Sequence, residues 1–67
     1  MADMRFFLQK LSDDKPSVRR RSAQLLESYP NSSVLFRLKA LLPREDDPSV
    51  QAAMRHAIEK LTQSLYG

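Results

Sequence analysis

The chain has 67 residues, no cysteine and a single histidine, and carries 11 Lys and Arg against 8 Asp and Glu, a formal net charge of +3. These numbers exclude disulfides, thiolate metal sites and histidine clusters. They also limit the chain to one small domain, over 1–67, with a marginal core, because a chain this short buries only about 60% of the surface its unfolded form exposes. The mild positive charge permits weak attraction to nucleic acid or to an acidic protein surface without requiring either.

Hydrophobic residues make up 42% and charged residues 28% of the chain, a globular rather than a disordered balance. Met1 to Arg5 lacks the basic and apolar regions of a signal peptide. The longest apolar run, Ala40 to Pro43, is far short of the roughly 20 residues that span a bilayer. The expectation is a soluble, cytoplasmic protein that does not enter a membrane.

In chain order, the first predicted helix runs from about Asp3, placed to cap it, to Leu11, and a polar turn of Ser12, Asp13 and Asp14 follows. A second helix opens at Pro16, where the missing N–H costs nothing, and continues to about Ser28. It must stop at Tyr29-Pro30, since the residue before proline avoids the helical region. Asn31, Ser32 and Ser33 are cap candidates for a third helix ending near Leu42. Asp47 followed by Pro48 opens a fourth that reaches about Leu65, with Gly67 beyond it.

These elements repeat. Asp14-Lys15-Pro16-Ser17-Val18 recurs as Asp46-Asp47-Pro48-Ser49-Val50, 32 residues on. The pattern Phe6-x-Leu8-x-x-Leu11 recurs as Phe36-x-Leu38-x-x-Leu41, 30 residues on, so the second turn is two residues longer. Repeat one spans about 3–29 and repeat two about 32–65.

At helical spacing, Val18, Ser22, Leu25, Leu26 and Tyr29 share one stripe, matched in the second copy by Val50, Met54, Ala57, Ile58 and Leu61, with Leu65 extending it. Met4, Phe7, Leu8 and Leu11 form the stripe of the first helix, and Val34, Leu35, Leu38, Leu41 and Leu42 that of the third. Short links make neighbours antiparallel. The recurrence of one pattern in both copies favours an all-α fold of two helical hairpins, stacked as a short solenoid, over a symmetric bundle.

The run Leu11 to Leu26 resembles a HEAT repeat, and in particular the short HEAT-like repeats of phycobilin lyase subunits, through Asp14, Pro16, Val18, Arg19, Ala23 and Leu26. The second copy is similar through Asp46, Asp47, Pro48, Val50, Ala53 and Ile58, but Gln51 stands where an arginine is expected. The resemblance covers nearly the whole chain. It implies a HEAT-type α-solenoid with a mostly non-catalytic binding role, the second helix of each unit lining a concave face. Fold likeness of this kind says little about which partner is bound.

Among individual residues, Arg19 is expected to pair with Asp13, Asp14 or a turn carbonyl, as the family pattern suggests. Arg20 lies opposite the apolar stripe and, with Lys15, Arg55 and Lys60, offers a basic strip for phosphates, weakened by Glu27 and Glu59. His56 sits off the stripe and reads as a surface histidine without further metal ligands to join it. Glu45, Asp46 and Asp47 read as an acidic turn that caps a helix and complements its dipole. Phe6 and Phe36 lie about 160° from the centres of their stripes, at helical spacing. Phe36 is expected to bury against copy one, while Phe6 faces the open end of the stack as a local fold-back or a contact surface.

No Gly-rich phosphate loop and no Ser/His/Asp arrangement occurs, so neither an enzyme nor a cofactor is expected. The leading expectation is a protein–protein interaction module or scaffold, complete or part of a longer protein, that self-associates or docks on another protein through Phe6 or the second-helix face. Two repeats fall short of the three or so that usually give a stable stack. The alternatives are a nucleic-acid-binding accessory using Arg20, Arg55 and Lys60, and, on family likeness alone, a chaperone-like subunit for chromophore attachment.

Overall fold

The computed structural model describes residues 3–67, so Met1 and Ala2 of the expected 1–67 domain lie outside the described residues. Among the described residues the chain forms four α-helices: α1 Met4–Lys10, α2 Pro16–Leu26, α3 Ser32–Leu41 and α4 Pro48–Tyr66. One turn of 3₁₀ helix, Leu42–Arg44, joins α3 to the second turn, and no strand is present among these residues. The fold is all-α.

The helix starts follow from the caps. Asp3 accepts the Phe6 N–H at 3.1 Å, and Asn31 accepts the Ser33 N–H at 2.8 Å, which singles out Asn31 among the three candidates. Asp47 accepts from the Ser49 N–H, the Val50 N–H and the Ser49 hydroxyl with one carboxylate oxygen. Pro16 and Pro48 each occupy the first turn of their helix, where no donor is lost. α2 stops two residues before the expected Ser28, because Pro30 supplies no N–H and biases Tyr29 out of the helix. Tyr29 instead closes the last turn through its N–H to the Leu26 carbonyl, at 3.0 Å.

α1 packs on α2 and α3 on α4, and the broadest interface joins α2 to α4. This arrangement is compatible with two stacked hairpins. The turns after α1 and α3 come together at one end, where a single polar cleft is lined by Asp13 and Asp14 from one and Glu45 and Asp46 from the other. The core holds Leu11, then Ala23 and Leu26 of α2, Val34, Leu35 and Leu38 of α3, and Val50, Ala53, Met54, Ala57 and Leu61 of α4. None of the helices is long and apolar enough to cross a membrane.

Two sequence expectations are corrected here. In α2 the most deeply buried residues are Ser22, Ala23 and Leu26, while Val18 and Leu25 stay half-buried. The buried sector is turned toward Ala23 because α2 must serve α4 as well as α1. The expected stripe of α4 holds: Val50, Met54, Ala57 and Leu61 are buried, Ile58 and Leu65 partly so.

Phe36 does not bury against copy one; it is 72% exposed and lies beside Leu35, Lys39 and Tyr66. α3 rests on α4 and on the 3₁₀ turn, so its outer face has no hairpin to meet, and the 30-residue register that paired Phe6 with Phe36 does not survive in space. The two positions therefore differ sharply in energetic weight. Leu38→Ala, which empties a fully buried site, is expected to cost about 3 kcal/mol in urea denaturation, whereas Phe36→Ala changes stability by less than about 0.5 kcal/mol.

Candidate functional site: the turn clamp and the open edge

Arg19 leaves the first turn of α2 and reaches back over its own turn and across to the next hairpin. Its Nη1 donates to the carbonyls of Asp13 at 2.8 Å and Asp14 at 3.1 Å. Its Nε and Nη2 donate to the two carboxylate oxygens of Glu45, each at 2.9 Å. The fork geometry of guanidinium matches a carboxylate in this bidentate way, which a lysine does not reproduce. The side chains are 15% and 4% exposed, so water competes little for either partner. The turn carbonyls expected as partners of Arg19 are there; the side chains of Asp13 and Asp14 are not its partners.

The acidic run divides its tasks. Asp47 is the helix cap, Glu45 is the clamp anion, and Asp46 is 97% exposed with its oxygen 4.0 Å from Arg19, too solvated to add much. Glu45 also accepts the Asp47 N–H at 3.1 Å, just as Asp13 accepts the Lys15 N–H at 2.9 Å in the first turn. The repeat equivalence extends to the next residue. Gln51, at the position of Arg19, donates its amide to the Glu45 carbonyl at 2.6 Å, as Arg19 does to the Asp13 carbonyl. The second copy thus keeps the bond that closes its own turn and lacks the charge that reaches beyond it.

The Arg19 guanidinium holds the Glu45 carboxyl below its ordinary value, aided by the Asp47 N–H. Asp47 is lowered by the Ser49 hydroxyl and the Val50 N–H, and Asp13 chiefly by the Lys15 N–H. A second link joins the hairpins farther along: His56 Nδ1 of α4 lies 2.8 Å from a carboxylate oxygen of Glu27 at the end of α2. His56 is an exposed residue, as expected, but it has a partner in the other hairpin.

At the opposite side of α2 from α4, the edge of the first hairpin is open. A groove of about 460 Å³ runs between α1 and α2, with Phe6, Phe7, Val18 and Leu25 as its apolar floor. Phe6 is 44% exposed and stands edge-on to Phe7, with ring centres 5.5 Å apart. The Lys10 ammonium sits 5.5 Å from the Phe6 ring centre, a cation–π contact. Phe7 in turn leans on Tyr29. Lys10, Lys15 and Arg21 line the groove, and Asp13 is its one acidic residue, 3.6 Å from Lys10.

The structure does not gather the expected basic strip. Arg20, Arg55 and Lys60 are all exposed. Arg55 and Lys60 are five residues apart on one helix, which turns them about 140° from each other. Lys15 belongs to the groove at the other edge. The nearby acids also remain, Glu27 on His56 and Glu59 in solvent. Among the described residues, no group of three or more His, Asp or Glu is arranged to hold a metal ion.

Phe6 is thus the one expected partner-binding residue that sits in a concave surface. Val18 and Leu25 were read as core, and Glu45 as part of a cap. Carried one residue further back, the 32-residue offset sets Glu45 against Asp13, a signal that could have pointed to a clamp between turns, whereas Arg19 was expected to pair within its own turn. No protein-family model, curated protein or solved structure matches the chain.

The clamp carries an acid sensitivity. Unfolded Glu45 binds protons more readily than folded Glu45, so the stability it contributes is present above the ordinary value of 4.5 and lost as pH falls through and below it. Urea midpoints measured from about pH 7 to 3 should fall steeply in the wild type and less steeply in Glu45→Gln. At pH 7, Glu45→Ala should lower the urea midpoint, since it leaves a part-buried guanidinium without its anion, and Arg19→Lys should reproduce most of that loss.

Proposed function

We propose that the chain is a non-catalytic protein-interaction module built from two HEAT-like helical hairpins, with the open edge of the first hairpin as its docking surface. The observation that carries this reading is the groove of about 460 Å³ floored by Phe6, Phe7, Val18 and Leu25. An apolar concavity rimmed by charge, on a domain with little core to spare, is where a protein partner gains most from burial. The resemblance of Leu11 to Leu26 to HEAT-like repeats supports the same reading, since such hairpins bury their faces against neighbours in a stack.

The reading is tested by selection without a preset ligand. A displayed library of random peptides, with no secondary structure imposed, is panned against the chain, and the winners are mapped by amide chemical shifts. Winners should move the amides of Phe6, Val18 and Leu25 and lose at least about tenfold in affinity to Leu25→Asp, the order of burying one leucine. Winners that instead move the amides around Arg20 or Arg55, or no winners at all, contradict the proposal.

A further inference from the structure

We infer that the occupant of the open groove is an amphipathic α-helix of another protein whose apolar stripe is flanked by acidic side chains, lying along the outer side of α2 as α4 lies along its inner side. The inference rests on the docking reading above and names the partner's chemistry.

A helix is the shape that fits. The groove is bounded by α1 and α2, whose backbone donors and acceptors are spent within the helices, so no strand edge is offered for an extended peptide to pair with. Val18 and Leu25 are seven residues apart on α2, a ridge of about 10 Å. A helix presents apolar side chains at that same spacing, at positions i, i+3 or i+4, and i+7.

The repeat shows what kind of helix. On the inner side, α4 meets α2 with an acid at the turn, Glu45, and small residues on the helix, Ala53 and Ala57. The residues 32 positions earlier, on the open side, are Asp13, Arg21 and Leu25. Both acids accept an N–H of their own turn, but Asp13 also lies 3.6 Å from Lys10, so it attracts an incoming arginine less than Glu45 does. Arg21, in the place of Ala53, adds a guanidinium at the rim. Among the described residues neither Lys15 nor Arg21 takes part in an ion pair. With Lys10 they leave the rim cationic, so an acidic flank gains and a basic flank is repelled.

The same comparison argues against a second copy of this chain as the occupant. Continuing the stack head to tail would bring the outer face of α4 to the groove, with Gln51, Arg55 and Glu59 where α2 presents Arg19, Ala23 and Glu27. Arg55 and Arg21 would then take the places of Ala23 and Ala53, two guanidiniums in place of two buried methyl groups. The clamp would be lost too, since Gln51 is neutral and its amide is held by the Glu45 carbonyl.

The test uses three helical peptides with one apolar stripe and flanks of Glu, Gln or Lys, titrated by fluorescence anisotropy against the wild type and the double variant Lys15→Glu with Arg21→Glu. Both substituted positions are exposed, and circular dichroism checks that the variant is folded. The wild type should bind the Glu peptide roughly five- to tenfold more tightly than the Gln peptide, as two or three rim pairs allow, and the Lys peptide least. Raising salt from about 50 to 300 mM should narrow that gap, and the double variant should reverse the order. Equal affinity for all three peptides, with the Phe6, Val18 and Leu25 amides perturbed, overturns the acidic partner and leaves the docking reading standing. Binding by none of them overturns the helical partner, and the unbiased selection then decides whether the groove docks proteins at all. A dimer of the chain in sedimentation that the peptide dissociates would replace the partner with a second copy.

Discussion

The two hairpins meet along α2 and α4, and the contact that fixes both their spacing and their register is the guanidinium of Arg19. It holds two carbonyls of its own turn and both carboxylate oxygens of Glu45 in the next. Each of those four bonds is directional, so a slip of one hairpin along the other breaks the fork before it costs much apolar burial. The rest of the interface is permissive by comparison. Ala23, Ala53 and Ala57 are buried without specifying position, and the His56 to Glu27 contact lies nearer the solvent. The two turns are brought to one end by that fork, and the orientation of α2 follows. One side of α2 is committed to α4, and Val18 and Leu25 are left at the other.

The exposure of the groove is therefore a consequence of the stacking and not a separate design. A helix in a stack of hairpins has neighbours on two sides. α2 has α4 on one side, and on the other a cleft where the repeat pattern leaves room for a helix. Apolar burial there is worth pursuing for a partner because the domain itself has little core to lend: its buried residues are a short set of leucines, valines, alanines and one methionine. The far end of the stack is built differently. There Gln51 turns inward and Arg55 stands where α2 has an alanine, so the stack has a receptive edge and a closed one.

Much of this was legible in the residues. Caps and prolines placed the four helices to within one or two positions, because Asp3, Asn31, Asp47, Pro16 and Pro48 act locally and do not depend on the tertiary context. The stripe of α4 was also legible, since its neighbours lie on one continuous sector. The stripe of α2 was only partly so. Periodicity finds a single apolar sector, whereas α2 has two neighbours, and one of them is met through alanine and arginine, which a hydrophobicity pattern does not count. Phe36 failed for a related reason: its place in the repeat pattern named a neighbour, whereas its side of α3 faces solvent. The Arg19–Glu45 pair spans 26 residues, beyond any local rule, and only the equivalence of the two turns could have revealed it.

The central claim is that one buried fork between the turns sets the stack, and a double-mutant cycle of Arg19→Met and Glu45→Gln, read by urea denaturation at about pH 7 and again at about pH 3, tests it most directly. A coupling well outside experimental error at the higher pH that weakens at the lower one, as Glu45 moves toward its protonated form, is what this account predicts. Strictly additive effects at both pH values, or a coupling indifferent to pH, would contradict it.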